Sequence, residues 1–140
     1  MSKIVFPYLS FPLNQDPENQ KSEYLPMVEV QLINNHHRSP QLIQAIMDSG
    51  SNINLFHSYF GRQLGIKVKK GKPVKIKGIG NMELETYAHE VKLKIGQFVI
   101  STKIHFSDYQ NFRQIIGTCV FKYFNKITFH EAKKTLILEK

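Results

Sequence analysis

The segment AIMDSGSNINLF, from Ala45 to Phe56, places one carboxylate at the end of an apolar run. Asp48 follows that run directly, and Ser49, Gly50 and Ser51 come next. Such residues are typical of turns, because Asp and Ser side chains bond to nearby backbone and Gly accepts a positive φ. Apolar residues on both sides, however, predict that the acid lies in or near the core, where a lone charge is costly. A carboxylate in that position needs a partner or a function.

A carboxylate of this kind can act as one member of a pair. No histidine, lysine or second acid within the segment is placed to act with Asp48, so a catalytic pair within one chain is not evident. In a twofold dimer the same residue of each subunit can meet across the axis, and the two carboxylates then share one proton. The ionised member takes a proton from water while the neutral member hydrogen-bonds a carbonyl group. The small residues beside the acid let two such loops approach closely.

Three segments before the acid are predicted to position it. Residues Leu25–Ile33 alternate well enough to form a strand, and Asn34–Pro40 have the composition of a turn. Residues Leu42–Met47 then form the second arm of a hairpin. This second arm delivers Asp48.

The rest of the chain is predicted to contain short strands and little helix. Apolar residues at helical spacing after the acidic segment predict one short helix that stops at Gly65. Alternating residues follow, with breaks at Gly78–Asn81 and near Gly96, and predict two or three hairpin-linked strands. A short buried strand at Gln114–Gly117 precedes one or two helical turns, and a final hairpin turns near Glu131–Lys134. This pattern indicates a closed or nearly closed all-β barrel.

The start of the chain, MSKIVFPYLSFPLN, is apolar but is interrupted by Pro7 and Pro12. No small-residue cleavage site follows it, so we interpret it as an edge strand or arm and not as a signal peptide. Residues Asn14–Glu23 are polar and contain Pro17, which predicts a loop. At 140 residues the chain is expected to form one domain, with the arm and loop at 1–24 and the barrel at about 26–138.

The motif MDSGSNINLF resembles the active-site motif of the retropepsin-like aspartic proteases. In that family a hydrophobic strand leads to Asp-Thr/Ser-Gly-Ala/Ser and then to an aliphatic segment. The resemblance implies that Asp48 is the catalytic aspartate and that Ser49 locks the two active-site loops together across a dimer axis. It also implies that Gly50 supplies a carbonyl to bound peptide and that Ser51 belongs to the same substrate-binding loop.

Later segments extend the resemblance over Pro26–Leu138. Residues Lys75–Tyr87, KIKGIGNMELETY, resemble the family's flap, a glycine-tipped hairpin that folds over the substrate. Gly78, Ile79 and Gly80 would form its substrate-binding tip. QIIGTCVFKYF resembles the later hydrophobic-hydrophobic-Gly segment and short helix, and KTLIL a closing strand. The resemblance is especially close to the small single-domain retropepsin-like proteins of prokaryotes.

Two positions depart from the retroviral members of the family. Many of these carry an acid two residues after the catalytic glycine and an arginine after the later glycine, and the two side chains form a pair. This chain has Asn52 and Thr118 at those positions. Both partners are replaced together, so no unpaired charge results.

The resemblance implies an all-β, closed acid-protease barrel with a flap hairpin and one or two short helices. The expected activity is that of an aspartic endopeptidase, which cleaves peptide or protein substrates as a homodimer with one Asp48 from each chain. Neither a metal nor a cofactor is implied. The alternative is a noncatalytic binding or dimerisation module with the same fold, in which a basic face would bind nucleic acid.

The net charge of +8, from 19 Lys and Arg against 11 Asp and Glu, predicts attraction to polyanions or acidic partners. We interpret the basic stretch before the flap as a solvated face that blunts a strand edge. A nucleic-acid surface and recognition of acidic substrates are the alternatives. No RNA-binding signature or interleaved aromatic residues accompany the stretch, so a nucleic-acid partner is not expected. The basic stretch consists of Lys67, Lys69, Lys70, Lys72, Lys75 and Lys77.

The single cysteine, Cys119, forms neither an internal disulfide nor a cysteine-built zinc site. This usage indicates a reducing compartment, so we expect a cytoplasmic protein. We interpret Cys119 as a small buried packing residue, since no histidine partner is identifiable. No apolar run approaches the ~18 residues of a membrane span, so no membrane partner is expected.

The remaining titratable candidates receive structural interpretations. His36 and His37 are adjacent in a turn and are not expected to bind a metal. Asp108 is predicted to lie in a loop, and it is the best alternative partner for Asp48 within one chain. Three acids are expected on exposed faces of the long hairpin, namely Glu83, Glu85 and Glu90.

Overall fold

The computed structural model of the protein describes residues 2–12 and 22–140. Within them, thirteen strands and two short α-helices follow one another along the chain. The strands are β1 (Lys3–Pro7), β2 (Leu9–Pro12), β3 (Ser22–Leu25), β4 (Met27–Asn34), β5 (His37–Arg38), β6 (Ile43–Met47), β7 (Asn54–His57), β8 (Lys72–Lys77), β9 (Glu83–Ile95), β10 (Phe98–Ser107), β11 (Gln114–Ile116), β12 (Lys126–His130) and β13 (Thr135–Glu139). The helices are α1 (Ser58–Gln63) and α2 (Thr118–Phe121).

Six strands close into a barrel. Their order is β4-β6-β11-β7-β10-β9, and β9 pairs with β4 to complete the ring. Because every strand of the ring has two neighbours, the barrel itself has no open edge. The predicted all-β barrel is therefore confirmed, and it is closed.

Alternation of apolar and polar residues explains why these segments are strands. In β4, Val28, Val30 and Leu32 are fully buried, whereas Glu29 between them is exposed. Successive side chains of a strand point to opposite faces, so this pattern aims one face into the barrel. The largest side chains that fill the interior include Phe56, Phe106, Leu32, Met47, Leu93, Ile95, Ile104 and Ile116.

A second sheet joins the two ends of the described chain in the order β1-β13-β12. Ile4 of β1 lies opposite Leu138, and Phe6 lies opposite Leu136. Both leucines are fully buried, so this sheet contributes to the same core as the barrel. The predicted N-terminal edge strand and the final hairpin are confirmed, and both belong to one sheet.

The helix α1 begins where the sequence predicted a short helix. The side chain of His57 caps it, because His57 Nδ1 accepts a hydrogen bond of 3.0 Å from Tyr59 N. Gly65 follows the helix with a φ of 74°, a left-handed conformation that suits glycine. The helical turn predicted after Gly117 is α2.

Three boundaries near the start of the chain differ from their prediction. Most of the predicted loop Asn14–Glu23 lies outside the described residues, but Ser22 and Glu23 begin β3 and are not loop. The strand predicted from Leu25 starts only at Met27, because Pro26 separates it from β3. The predicted turn at Asn34–Pro40 contains the short strand β5.

Between residues 22 and 140 and in residues 2–12, no helix is long and apolar enough to cross a membrane.

His105 of β10 is a buried titratable group outside the barrel interior. It is 7% exposed, and its Nδ1 lies 3.1 Å from Thr86 Oγ1. Thr86 Oγ1 donates its own proton to the Val74 carbonyl oxygen, so the hydroxyl accepts from His105 Nδ1–H. Burial, and then the positive charge of Lys103, lower the pKa of His105 below its usual value of 6.5.

This lowered pKa predicts a loss of stability in acid. Above pH 6.5 His105 is neutral in both the folded and the unfolded state, and its full contribution to the free energy of unfolding is present. As the pH falls from there to the folded-state pKa, the unfolded state binds more protons, so the free energy of unfolding decreases by up to about 1.4 kcal/mol per pH unit. We expect His105→Gln to flatten this dependence in urea titrations between pH 7 and 5. His36→Gln, at an exposed turn, is the matched control, and an unchanged slope in His105→Gln would contradict the assignment.

Candidate active site

Asp48 stands at the carboxyl end of two parallel strands. β6 and β11 run in parallel, with Met47 opposite Ile116. The pairing continues one residue further, because Asp48 N donates a hydrogen bond of 2.9 Å to the Ile116 carbonyl oxygen. Met47 is buried and Asp48 is half-buried. The acid thus lies at the margin of the core, as the sequence predicted, with its backbone fixed by the strand and its carboxylate at the surface.

The residues after Asp48 form a tight turn around its carboxylate. Gly50 N donates a hydrogen bond of 2.9 Å to Asp48 Oδ1, and Ser51 N donates one of 3.2 Å to the Asp48 carbonyl oxygen. A Cβ atom on Gly50 would lie 3.2 Å from Asp48 Oδ1, so a larger residue would crowd the carboxylate. Ser49 and Gly50 are both exposed. Among hydrogen bonds between described residues, none reaches the second carboxylate oxygen of Asp48.

The hydroxyl of Ser51 is used within its own loop. Ser51 Oγ donates a hydrogen bond of 2.9 Å to the Ile53 carbonyl oxygen. The Ser51 carbonyl oxygen accepts one of 2.8 Å from Thr118 N, the first residue of α2. Ser51 therefore connects the Asp48 loop to the segment after β11, and its hydroxyl, N–H and carbonyl groups are all hydrogen-bonded within the fold.

Asn54 holds the Asp48 loop to two other parts of the fold. Its side chain is 0% exposed and makes three hydrogen bonds. Asn54 Nδ2 donates to Thr102 Oγ1 at 3.1 Å and to the Lys103 carbonyl oxygen at 2.9 Å, both on β10. Asn54 Oδ1 accepts from Gly117 N at 3.0 Å. One buried amide thus joins β7, β10 and the turn before α2.

Gly117 allows the two segments to approach closely. A Cβ atom at this position would lie 2.6 Å from the Ser51 carbonyl oxygen and closer still to that of Ile53. These are backbone atoms, which cannot rotate away as a flexible side chain can. The backbone of Gly117 is extended, so the need for glycine comes from close packing and not from a positive φ.

Hydrogen bonds connect the Asp48 loop to the segment after β11 without the acid–arginine pair of the retroviral members. Asn52 and Thr118 are exposed and uncharged, so they cannot form the ion pair of the retroviral members. The Thr118 N–H and the buried amide of Asn54 make the connection between the two segments. Sequence reasoning missed Asn54, although an asparagine at the start of the apolar strand NLF was a detectable signal of a buried polar partner.

The predicted flap is a hairpin of β8 and β9. Lys77 lies opposite Glu83, and Gly78 N donates a hydrogen bond of 2.8 Å to the Met82 carbonyl oxygen. Gly78, Ile79 and Gly80 lie at its tip, where Gly80 has a φ of 76° and Asn81 one of 63°. Met82 beside the tip is 55% exposed. The hairpin is confirmed, while its role as a lid over substrate stays a prediction.

The basic stretch is exposed at every lysine from Lys67 to Lys77, and it includes the edge strand β8. Glu85 lies opposite Lys75, and Glu83 lies opposite Lys77, so two of the lysines face acids across the hairpin. Pro73 also lacks a backbone donor on this edge. The lysines thus lie on an exposed strand edge, and the interpretation as a solvated face stays a prediction. The three acids expected on exposed hairpin faces are exposed.

Asp108 has a partner other than Asp48. Its carboxylate lies 3.2 Å from Arg62 Nη1, and both side chains are more than half exposed. The Ser58 hydroxyl and the Arg62 guanidinium lower the pKa of Asp108. Ser58 Oγ is buried and makes no hydrogen bond of regular geometry, so the ion pair with Arg62 is the better-defined contact. Asp108 is therefore engaged elsewhere and is not the partner of Asp48 in one chain.

The other candidates have ordinary positions. Cys119 is only partly buried and packs against the core, so its prediction as a buried residue is corrected to this extent. His36 and His37 are exposed in and beside a turn. Across the described ranges, no three His, Cys, Asp or Glu side chains are grouped so that they could hold a metal ion.

The fold is that of the retropepsin-like aspartic proteases. The resemblance found in the sequence is thus confirmed for the fold. No family model and no curated protein matches the sequence.

Two solved structures illustrate the likeness. One is a retropepsin-like aspartic protease from Rickettsia conorii, with a TM-score of 0.62 and 18% sequence identity over 98% of this chain and 92% of that chain. The other is EIAV protease in complex with the inhibitor HBY-793, with a TM-score of 0.53 and 17% identity over 79% of this chain and 93% of that chain. At these identities the likeness establishes the fold.

The buried amide of Asn54 predicts a large effect on stability. Asn54→Ala removes three hydrogen bonds and leaves the Gly117 N–H buried without an acceptor. We expect the free energy of unfolding to fall by about 3 kcal/mol, measured by urea denaturation. Asn52→Ala changes the same residue type two positions earlier, at an exposed position, and it should alter stability by less than about 0.5 kcal/mol. Equal effects of the two substitutions would contradict the role of Asn54.

Proposed function

We propose that the protein is an aspartic endopeptidase that acts as a homodimer, with one Asp48 contributed by each chain. The observation that carries the proposal is the position of the Asp48 carboxylate on a retropepsin-like fold. It lies at an exposed turn of small residues, with Oδ1 held by Gly50 N and the second oxygen without a partner among the described residues.

A second copy supplies what one chain lacks. Asp108, the alternative acid, is paired with Arg62, so one chain offers a single carboxylate for water activation. The exposed Ser49 and Gly50 leave room for the same turn of a partner subunit to approach. A twofold axis beside this turn brings two copies of Asp48 together, and the hydroxyl of Ser49 can then bond across the axis.

The proposed reaction needs only water and the two carboxylates. Like charges at short range do not both ionise, so the pair holds one proton, as in the aspartic-protease dyad. The ionised carboxylate takes a proton from water as the water attacks the peptide carbonyl carbon. The protonated carboxylate donates a hydrogen bond to the carbonyl oxygen. The carboxylate that took the proton from water then gives it to the peptide nitrogen as the C–N bond breaks, so the pair again holds one proton. Gly50 N–H keeps Asp48 Oδ1 in a fixed orientation through both steps.

The substrate of this proposal is an extended peptide or protein segment. The Gly50 carbonyl offers it an acceptor, and the hairpin tip at Gly78, Ile79 and Gly80 covers it from the other side. Backbone pairing provides affinity in such an arrangement, and side-chain pockets provide specificity. Closure of the hairpin excludes water that is not part of the reaction.

Replacing Asp48 tests the catalytic assignment. Asp48→Asn keeps the size and the acceptor for Gly50 N, but it removes the titratable group, so we expect peptide cleavage to fall by at least about a thousandfold. Asp108→Asn is the matched control, because it changes the other candidate acid and should leave cleavage within about twofold. The assay is cleavage of a peptide library, with circular dichroism to verify that both variants fold.

Wild-type cleavage by Asp48→Asn would overturn this proposal. If the wild-type protein cleaves no peptide, remains a monomer and binds DNA or RNA in a salt-sensitive way, the noncatalytic binding module replaces the enzyme.

Dilution tests the two-chain site. If each site needs two chains, the specific activity falls as the protein is diluted through the dissociation constant of the dimer, and the rate becomes second order in protein. We expect Ser49→Ala to shift this transition to higher concentration and to regain activity when more protein is added. Ser10→Ala, at an exposed serine on β2, is the control. Specific activity that is constant over a thousandfold dilution, with a monomer in sedimentation, would exclude the shared site.

A further inference from the structure

A cavity of about 330 Å³ lies beside the loop that carries Asp48. Asn52 and Ile53 of that loop form one side of the cavity, and β10 and the end of α2 form the others. Asn52 is four residues after Asp48, so its Cα is within about 14 Å of that of the acid. The volume is enough for one large side chain of a peptide.

Two cations line this cavity. Lys103 projects from β10 and Lys122 follows α2, and both are exposed. One acid, Glu90, also lines the cavity and lies directly opposite Lys103 in the pairing of β9 with β10. Glu90 thus offsets Lys103, while Lys122 has no acid partner among the ion pairs of the described residues. The cavity therefore has an excess of one positive charge at neutral pH.

The other walls are polar and partly rigid. Lys122 Nζ lies 5.4 Å from the ring centroid of Tyr123, a cation–π contact that keeps the ammonium group near the cavity. His105 is 7% exposed and is fixed by Thr86, and it forms part of the wall. A cavity with cations and hydrogen-bonding groups favours an anionic side chain over an apolar one.

We propose that this cavity is a specificity subsite that binds an acidic side chain of the substrate, with Lys122 as its principal cation. The inference rests on the proposed function, because it concerns peptides that lie along the Asp48 loop. An extended peptide advances about 3.3 Å per residue, so the side chain that reaches Asn52 and Ile53 lies two to four residues from the scissile bond. A charge-assisted hydrogen bond to Lys122 gives about a tenfold preference for Glu over Gln.

Cleavage-site profiling on a proteome-derived peptide library tests the subsite. For the wild-type protein we expect Asp and Glu to be enriched about tenfold at one position, two to four residues from the cleaved bond. Lys122→Gln should abolish this enrichment, and Lys122→Glu should reverse it in favour of Lys and Arg. Glu90→Gln should strengthen it, because a competing carboxylate is removed.

Lys3→Glu is the matched control for charge. It changes the net charge as Lys122→Glu does, but on β1 of the second sheet, so the acidic preference should persist. A profile that is identical in wild type and Lys122→Glu, or that changes equally in Lys3→Glu, would overturn the subsite.

A binding experiment separates this inference from the proposed catalysis. Peptides are selected by display on Asp48→Asn protein and, in parallel, on Asp48→Asn/Lys122→Glu protein. Acidic selection that depends on Lys122 supports the subsite even if no variant cleaves peptides, in which case only the protease assignment fails. If the protein instead cleaves peptides efficiently but shows no charge preference, the subsite is overturned and the protease assignment is retained.

Discussion

The hydrogen bonds of the Asn54 amide hold the candidate site together. Asp48 can keep a fixed direction only if the loop after it is fixed, and that loop is tied to β10 and to the turn before α2 through Asn54. A neutral amide achieves this with complete hydrogen bonding and without the desolvation cost of a buried ion pair. Gly117 is the steric counterpart, since only a residue without a side chain allows the second segment so close.

The parts of the fold that sequence reasoning predicted are those determined by local patterns. Alternation indicated the hairpin before Asp48, the long hairpins of β8 to β10 and the final hairpin, because side-chain periodicity of two follows directly from strand geometry. The tight turn after Asp48 was also predicted from the sequence, since Asp, Ser and Gly each favour turns. The succession of short strands with little helix indicated a barrel, and the family resemblance implied the same fold.

The parts that were missed depend on partners distant in sequence. The side chain of Asn54 is hydrogen-bonded to Thr102 and Gly117, which follow it by 48 and 63 positions in the sequence. No local pattern specifies such contacts. The boundary at Pro26 differed because β3 pairs with β2, and this pairing depends on the N-terminal arm and not on the composition of β3 itself. Cys119 was expected to be buried, but α2 is a single turn at the surface, and its side chain is only partly covered.

The pairing of β1 with β13 forms within one subunit and does not depend on a second one. Lys3–Pro7 aligns with Thr135–Glu139 of the same polypeptide, so this sheet is complete without exchange of strands between molecules. The pairing of this sheet therefore needs residues of one chain only. Under the proposed mechanism, hydrolysis would then begin once the protein concentration allows two folded chains to associate.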